Sequence, residues 1–233
     1  MKTIGLIGGM SWESTREYYS LLNGEVNRAL GKNHSASCLI SSFDFQIIED
    51  LQSAGAWDAL ETHILDAGRS LKQAGAQGLA ICTNTMHKVA DRVEDVVGVP
   101  LLHIVDAVGD EVGRHDETVV GLLGTRFTME QTFYRDRLAR RTGLDVVVPE
   151  PSEQDQIHRI IYEELVKGIV KEESLSVYLR ILDAMVRRNR VSCVVLGCTE
   201  IGLLVKDYDR PLYDSTRIHA ARIARFCLEQ NGA

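Results

Sequence analysis

Apolar positions along the chain follow two rhythms. Short, nearly continuous runs at Thr3–Ile7, Cys38–Phe43, Leu79–Cys82, Val119–Leu123, Val146–Val148 and Val194–Leu196 read as buried strands. Between them, apolar residues recur at steps of three and four, as in Tyr18/Leu22/Val26/Ala29, Trp57/Leu60/Ile64/Leu71 and Met86/Val89/Ala90/Val93/Val97. The second half continues the pattern with Ile157/Ile160/Ile161/Leu165 and Leu175/Leu179/Leu182/Val186. That spacing marks helices with one buried face. Strands interleaved with helices from end to end predict parallel sheets covered on both faces, an α/β fold.

The pattern also repeats on a longer scale. Thr3-Ile4-Gly5-Leu6-Ile7-Gly8 is echoed by Val119-Val120-Gly121-Leu122-Leu123-Gly124, 116 positions later. Tyr18 and Tyr134 keep that offset, and so do Cys82-Thr83 and Cys198-Thr199. Twice the offset is nearly the whole chain, the mark of a duplicated half. The expected organisation is two pseudo-symmetric parallel-sheet α/β domains facing each other across a cleft. Turns at Gly98-Val99-Pro100 and Asp207–Pro211 bound the halves. The first domain is expected to comprise residues 1–98 plus a C-terminal helix at 212–233, the second residues 99–211.

Composition narrows the function classes. A hydrophobic share of 45% over 233 residues supplies ample core material. A net charge of −7 argues against a nucleic-acid binder held by a basic surface. No apolar run approaches the ~18 residues of a membrane span. The apolar stretch before Gly8-Gly9 is too short for a secretory signal. Five cysteines with no C-x-x-C pair fit a reducing cytoplasm better than a disulfide framework.

Two of those cysteines stand out. Cys82 follows Leu79-Ala80-Ile81 and Cys198 follows Val195-Leu196-Gly197, and a Thr and a further polar residue follow each. The carboxyl ends of parallel strands form the binding crevice of α/β sheets. A thiol beside a helix N-terminus there is expected to ionise more readily. Two opposed thiols suit a reaction that takes a proton from one face of a carbon and returns one to the other. Such a scheme calls for no metal and no organic cofactor. Neither cysteine has the neighbours of a zinc site, and His87 reads as a structural histidine. Cys38, Cys193 and Cys227 lie inside strand or helix patterns without repeat partners and read as small buried hydrophobes.

Cys82-Thr83-Asn84-Thr85-Met86-His87 and Gly197-Cys198-Thr199-Glu200 resemble the two signatures of the cofactor-independent aspartate/glutamate racemases. Gly5 to Thr15, Leu123 to Met129 and Ile161 to Leu165 resemble further family stretches, so the resemblance covers essentially the whole chain. It is closest to the subgroup that contains the broad-specificity amino acid racemase. The resemblance implies two similar domains, racemisation without pyridoxal phosphate, an amino acid substrate and a homodimer. It also implies site roles: Cys82 and Cys198 move the proton, and Thr83, Asn84, Thr85 and Thr199 hold the amino acid head. Met10 and Ser11 stand in a glycine-rich loop whose free N–H groups suit a carboxylate. Glu200 is read as a supporting or ammonium-binding acid or as an ordinary helix-terminal one, and Gln52 as a substrate contact.

Departures from the family pattern bear on the substrate. Aspartate-specific members bring a basic residue from the segment after the second strand, yet Phe43 to Gln52 contains no Lys or Arg. Val166 takes the position where a Lys is expected before Gly168, and Lys167 follows it. Lys167 and Arg126 are the candidate substrate-binding cations, and Lys88 is a further candidate replacement. A second carboxylate buried without a cation is unfavourable, so a neutral or mixed substrate range is expected. Rival readings are hydantoin racemisation, maleate isomerisation or decarboxylation on the same fold, and a metabolite-binding protein without turnover. A nucleotide-binding dehydrogenase is disfavoured, because Gly5-x-x-Gly8-Gly9 lacks the G-x-G-x-x-G spacing.

Overall fold

The computed structural model describes residues 1–229; residues 230–233, included in the range expected for the first domain, lie outside the described residues. The chain divides into two units, one of Met1–Ile104 with the segment from His219, the other of Val105–Ile218.

In the first unit, β1 (Ile4–Gly8) is the middle strand of a parallel sheet, flanked by β2 (Cys38–Ser42) and β3 (Gly78–Ile81) in the order β2-β1-β3. Alternation along the strands sorts side chains between two faces. Ile4, Leu6, Ala80 and Cys82 pack with Tyr18, Leu22 and Val26 of α1 (Trp12–Leu30) and with Ala220, Ile223 and Ala224 of the C-terminal helix, Ser215–Leu228. Ile7, Leu79 and Ile81 pack on the opposite face. There they meet Ile48 of α2 (Phe45–Ser53), Leu60, Ile64 and Leu71 of α3 (Trp57–Gln73), and Val93 and Val97 of α4 (Val93–Val97). The turn out of β1 requires glycine. Gly9 has φ of +83°, and a Cβ there would lie 2.3 Å from the Phe43 backbone. α1 starts where Ser11 Oγ accepts the Ser14 N–H at 3.2 Å, a side-chain cap.

The second unit carries a four-stranded parallel sheet in the order β5-β4-β6-β7. Its strands are β4 (Val119–Gly124), β5 (Asp145–Val147), β6 (Cys193–Gly197) and β7 (Leu212–Asp214). Its helices are α5 (Ile104–Val112, beginning at the last residue of the first unit), α6 (Arg126–Glu130), α7 (Thr132–Thr142), α8 (Pro151–Glu163), α9 (Glu172–Asn189) and α10 (Ile201–Leu204). Leu123, Val194 and Leu196 form a core with Ile157, Ile160 and Ile161 of α8 and Tyr178, Ile181 and Met185 of α9. The α/β class and the parallel sheets match the sequence pattern.

Several readings change. Cys38–Phe43, expected as a buried strand, forms the half-exposed edge strand β2, with Cys38 only partly buried, and the Met86–Val97 stripe divides between a 3-10 helix (Thr85–Val89) and α4. Leu212–Asp214 pairs with β6 as a strand, so residues 212–218 belong to the second unit. The division therefore falls at 104/105 and 218/219 rather than at 98/99 and 211/212; three residues between a turn and a helix are too few to show a period. On α9 the buried face is Ser174, Tyr178, Ile181, Leu182 and Met185, while Leu175 and Val186 only pack against its margin. This helix carries apolar residues around more than half of its circumference, which leaves the spacing rule without a single answer.

His219, where the chain returns to the first unit, is fully buried. Tyr18 Oη donates to its Nδ1 at 2.8 Å, and its Nε2–H donates to the Leu102 carbonyl at 2.6 Å. Burial pushes its pKa down to about 4, against ~6.5 for an exposed histidine. Between those values the unfolded chain binds a proton that the folded chain refuses. The His219 contribution is therefore complete above about pH 6.5 and is lost as pH falls toward 4, by up to ~1.4 kcal/mol per pH unit. Thermal melts from pH 7 to 4.5 should show a falling midpoint, and His219→Gln should flatten that fall while lowering the midpoint at pH 7. A variant as steeply pH-dependent as the parent would remove His219 from this account.

Candidate active site

Each unit presents a cysteine immediately after a strand that pairs with its first strand, Cys82 after β3 beside β1 and Cys198 after β6 beside β4, but the two are not in the same place. Ile7 pairs with Ile81, so Cys82 stands level with Gly8. In the second sheet it is Gly197 that pairs with Gly124, the repeat counterpart of Gly8, and Cys198 lies one residue beyond. The constant offset of 116 hides this one-residue slip in register. A slip of one reverses the face to which a side chain points. Cys82 accordingly joins the α1 side of its sheet, whereas Cys198 joins the α8–α9 side of its own.

The Cys82 segment is fixed mainly through its backbone. Its N–H donates to the Ile7 carbonyl at 2.8 Å, and its carbonyl accepts from Ser14 Oγ at 2.8 Å. Ser14 belongs to the first turn of α1, so the glycine-rich loop and the cysteine loop are tied together. The same loop is tied internally: Thr15 Oγ1 accepts the Gly9 N–H at 2.8 Å and donates to the Ser11 carbonyl at 3.0 Å. The Gly9 and Ser14 N–H groups are thus engaged within the loop itself. Met10 and Ser11 are buried here, as are Asn84 and Thr85, while Thr83 is half-buried. Gln52, at the end of α2, is buried and donates weakly to Met86 Sδ at 3.3 Å. Lys88 sits over the Trp57 ring at 3.5 Å, and partial burial lowers its pKa.

The Cys198 segment is held through side chains. Cys198 Sγ donates to Glu200 Oε2 at 3.1 Å, and Thr199 Oγ1 donates to the same oxygen. All three residues are buried. Tyr178 lies in the same apolar cluster, fully buried, and its hydroxyl finds no hydrogen-bond partner among the described residues. The helical stripe read from sequence passed over Tyr178; the signal available was a lone tyrosine amid aliphatic positions of α9. Ser14 and Thr15 were also missed as site-building residues, although both lie in the opening motif. The 3-10 helix Leu165–Lys167 packs against α10, next to Cys198, but Lys167 is exposed while Val166 packs on the core. Arg126 is ion-paired with Asp155 at 2.9 Å. Among the described residues no cluster of three His, Cys, Asp or Glu is arranged to hold a metal ion.

Electrostatics here oppose the sequence expectation. Burial pushes the Cys82 thiol up, with a smaller push from Cys38. Burial, then the Glu200 carboxylate, pushes Cys198 well above the ordinary thiol range. The helical segments that follow are only five and four residues long, too short for a macrodipole to offset desolvation. Alkylation of ligand-free protein, followed by peptide mapping, should label both cysteines more than tenfold more slowly at pH 8 than a free thiol. Glu200→Gln should speed labelling of Cys198 and leave Cys82 unchanged, since a neighbouring negative charge is removed from one thiol only. Equal acceleration of both, or of neither, would contradict this picture.

Comparison with known proteins places this architecture. The model of the family described as Asp/Glu/hydantoin racemase matches residues 7–223. A crystallised candidate Asp/Glu racemase from Yersinia pestis is 46% identical, with a TM-score of 0.90 over 98% of this chain and 100% of that one. An aspartate racemase homologue from Pyrococcus horikoshii OT3 is 34% identical, with a TM-score of 0.83 over 98% and 100%. Among curated proteins, the broad specificity amino-acid racemase RacX of Bacillus subtilis (strain 168) is 27% identical over 39% of each chain. A glutamate racemase of Clostridium novyi is 24% identical over 58% of this chain and 49% of its own. The match thus spans half or less of the length of these curated relatives. With the family model covering almost the full sequence and two structures aligned end to end, this chain belongs to the Asp/Glu/hydantoin racemase family.

Proposed function

We propose that the protein racemises free amino acids without an organic cofactor, with Cys82 and Cys198 as the two proton-transfer groups acting on opposite faces of one α-carbon. The observation that carries this reading is the Cys198–Glu200 hydrogen bond: a buried thiol pointed at a carboxylate has somewhere to send its proton. In one direction Glu200 takes the thiol proton and leaves a thiolate, which removes the α-hydrogen and becomes a thiol again. The electron pair left on the α-carbon delocalises into the substrate carboxylate. Cys82, kept protonated by its burial, delivers its proton to the other face and is left as thiolate. After the product leaves, Glu200 releases its proton to water and the Cys82 thiolate takes one from water, which restores the starting state; the reverse reaction exchanges the roles of the two thiols.

For the substrate, the reading favours an amino acid with a neutral side chain. Phe43 to Gln52 supplies no cation, Val166 packs on the core where a lysine is expected, Arg126 is engaged by Asp155, and Lys88 lies over the Trp57 ring. A side-chain carboxylate would then be desolvated without a partner. The family description also includes hydantoins, which share the acidic carbon and would use the same two thiols.

Incubation with a panel of L-amino acids in heavy water, followed by chiral analysis and loss of the α-proton signal, tests both parts. Exchange and inversion are expected with one or more neutral members and weakly with aspartate or glutamate. Cys82→Ala and Cys198→Ala should each lower racemisation by at least ~10³-fold, because each group is used once per inversion. A Cys198→Ala protein racemising near the parent rate would overturn the assignment. Exchange confined to hydantoins would move the substrate and keep the mechanism.

A further inference from the structure

His87 is not a candidate substrate contact, yet its ring and its backbone are both bonded into the segment that follows Cys82. It is 2% exposed and sits within the 3-10 helix Thr85–Val89. Its Nδ1 lies 2.8 Å from the Thr83 carbonyl, and its Nε2 lies 3.2 Å from the Ile104 N–H. A carbonyl can only accept and an amide N–H can only donate. One ring state satisfies both, the neutral imidazole with its hydrogen on Nδ1. The His87 backbone N–H meanwhile donates to the Asn84 carbonyl at 3.1 Å. One residue therefore holds two successive carbonyls of the loop that follows Cys82.

The far end of the ring is also informative. Ile104 is the residue at which the chain leaves the first unit. The ring stacks edge-on with His103 at 4.5 Å and lies 5.9 Å from His219, which itself grips the Leu102 carbonyl. Buried imidazoles cost stability unless both nitrogens find partners, and an aliphatic residue would fill this space without that requirement. The ring's two bonds span from the Thr83–Asn84 peptide, the second after Cys82, to the exit segment.

We propose that His87 is a positioning residue for Cys82: as a neutral, doubly bonded strut it fixes the Thr83 peptide, and through it the direction of the Cys82 sulfur. This rests on the two-thiol reading only for its effect on turnover. Its effect on the thiol itself is independent of the reaction.

The test compares His87→Leu, which keeps bulk without either hydrogen bond, with His87→Gln, which keeps one donor and one acceptor. Two readouts are needed, alkylation rates resolved by peptide for Cys82 and Cys198, and kcat against KM for racemisation. The leucine variant should change Cys82 labelling at least tenfold while Cys198 stays within twofold. It should lower kcat by roughly 10- to 100-fold with KM within threefold, and glutamine should recover at least half of each loss on a logarithmic scale. Unchanged Cys82 labelling and kcat would overturn the proposal, and so would equal changes at both cysteines with no recovery by glutamine, the pattern of general loosening. If the leucine variant fails to fold, His87→Asn, too short to span both groups, carries the same comparison. If the parent protein racemises nothing, the proposed function fails, while the labelling arm still decides the role of His87.

Discussion

Both candidate sulfurs are held in surroundings that favour the neutral thiol, and this desolvation is the constraint to which the rest of the site answers. A proton on a buried thiol leaves only for an acceptor buried with it. In the second unit the Cys198 thiol donates to Glu200, two residues away, which is the acceptor in the proposed reaction. In the first unit the hydrogen bonds go to the backbone instead, with Ser14 on the Cys82 carbonyl and His87 on the Thr83 carbonyl. On the proposed reading one sulfur is relieved of its proton by its neighbour, and the other is aimed by its backbone.

This asymmetry arises from a small structural cause. The two halves share strand order about their middle strands, and the glycines that end β1 and β4 correspond. The slip of one residue between β3 and β6 places the cysteines on opposite faces of their respective sheets and gives them different neighbours. Cys82 lies among α1 and the C-terminal helix, and Cys198 among α8, α9 and Tyr178. A duplicated scaffold thereby yields two sites of similar sequence with unlike chemistry around the sulfur.

Much of this was legible in the sequence. Strand runs such as Ile4–Ile7 and Val194–Leu196 carry no polar side chain because both faces of a parallel strand are covered, and that continuity is readable. The Cys-Thr pairs were legible for the same reason, standing where those runs stop. The slip of register was not, because sequence offset counts residues along the chain whereas register counts them across a sheet. β7 was hidden by its length of three residues. The raised thiol pKa values were hidden because they depend on how many side chains close over each sulfur. The roles of Ser14 and His87 were invisible for a related reason: both act by bonding to backbone carbonyls, which carry no sequence signature. At Val166 and Lys167 only the position along the chain was legible: Val166 packs inward, and Lys167, a candidate substrate contact, lies exposed in the free protein.

The central claim is that the two sulfurs divide the proton transfers between them, one per face of the α-carbon. Replacing a sulfur by oxygen slows only the transfer at its own face, so the most direct measurement is the α-deuterium isotope effect in each direction for Cys82→Ser and Cys198→Ser. The account requires opposite patterns, with the isotope effect enlarged for one enantiomer in the first variant and for the other enantiomer in the second. The same pattern in both variants, or isotope effects equal to the parent's in both, would contradict it.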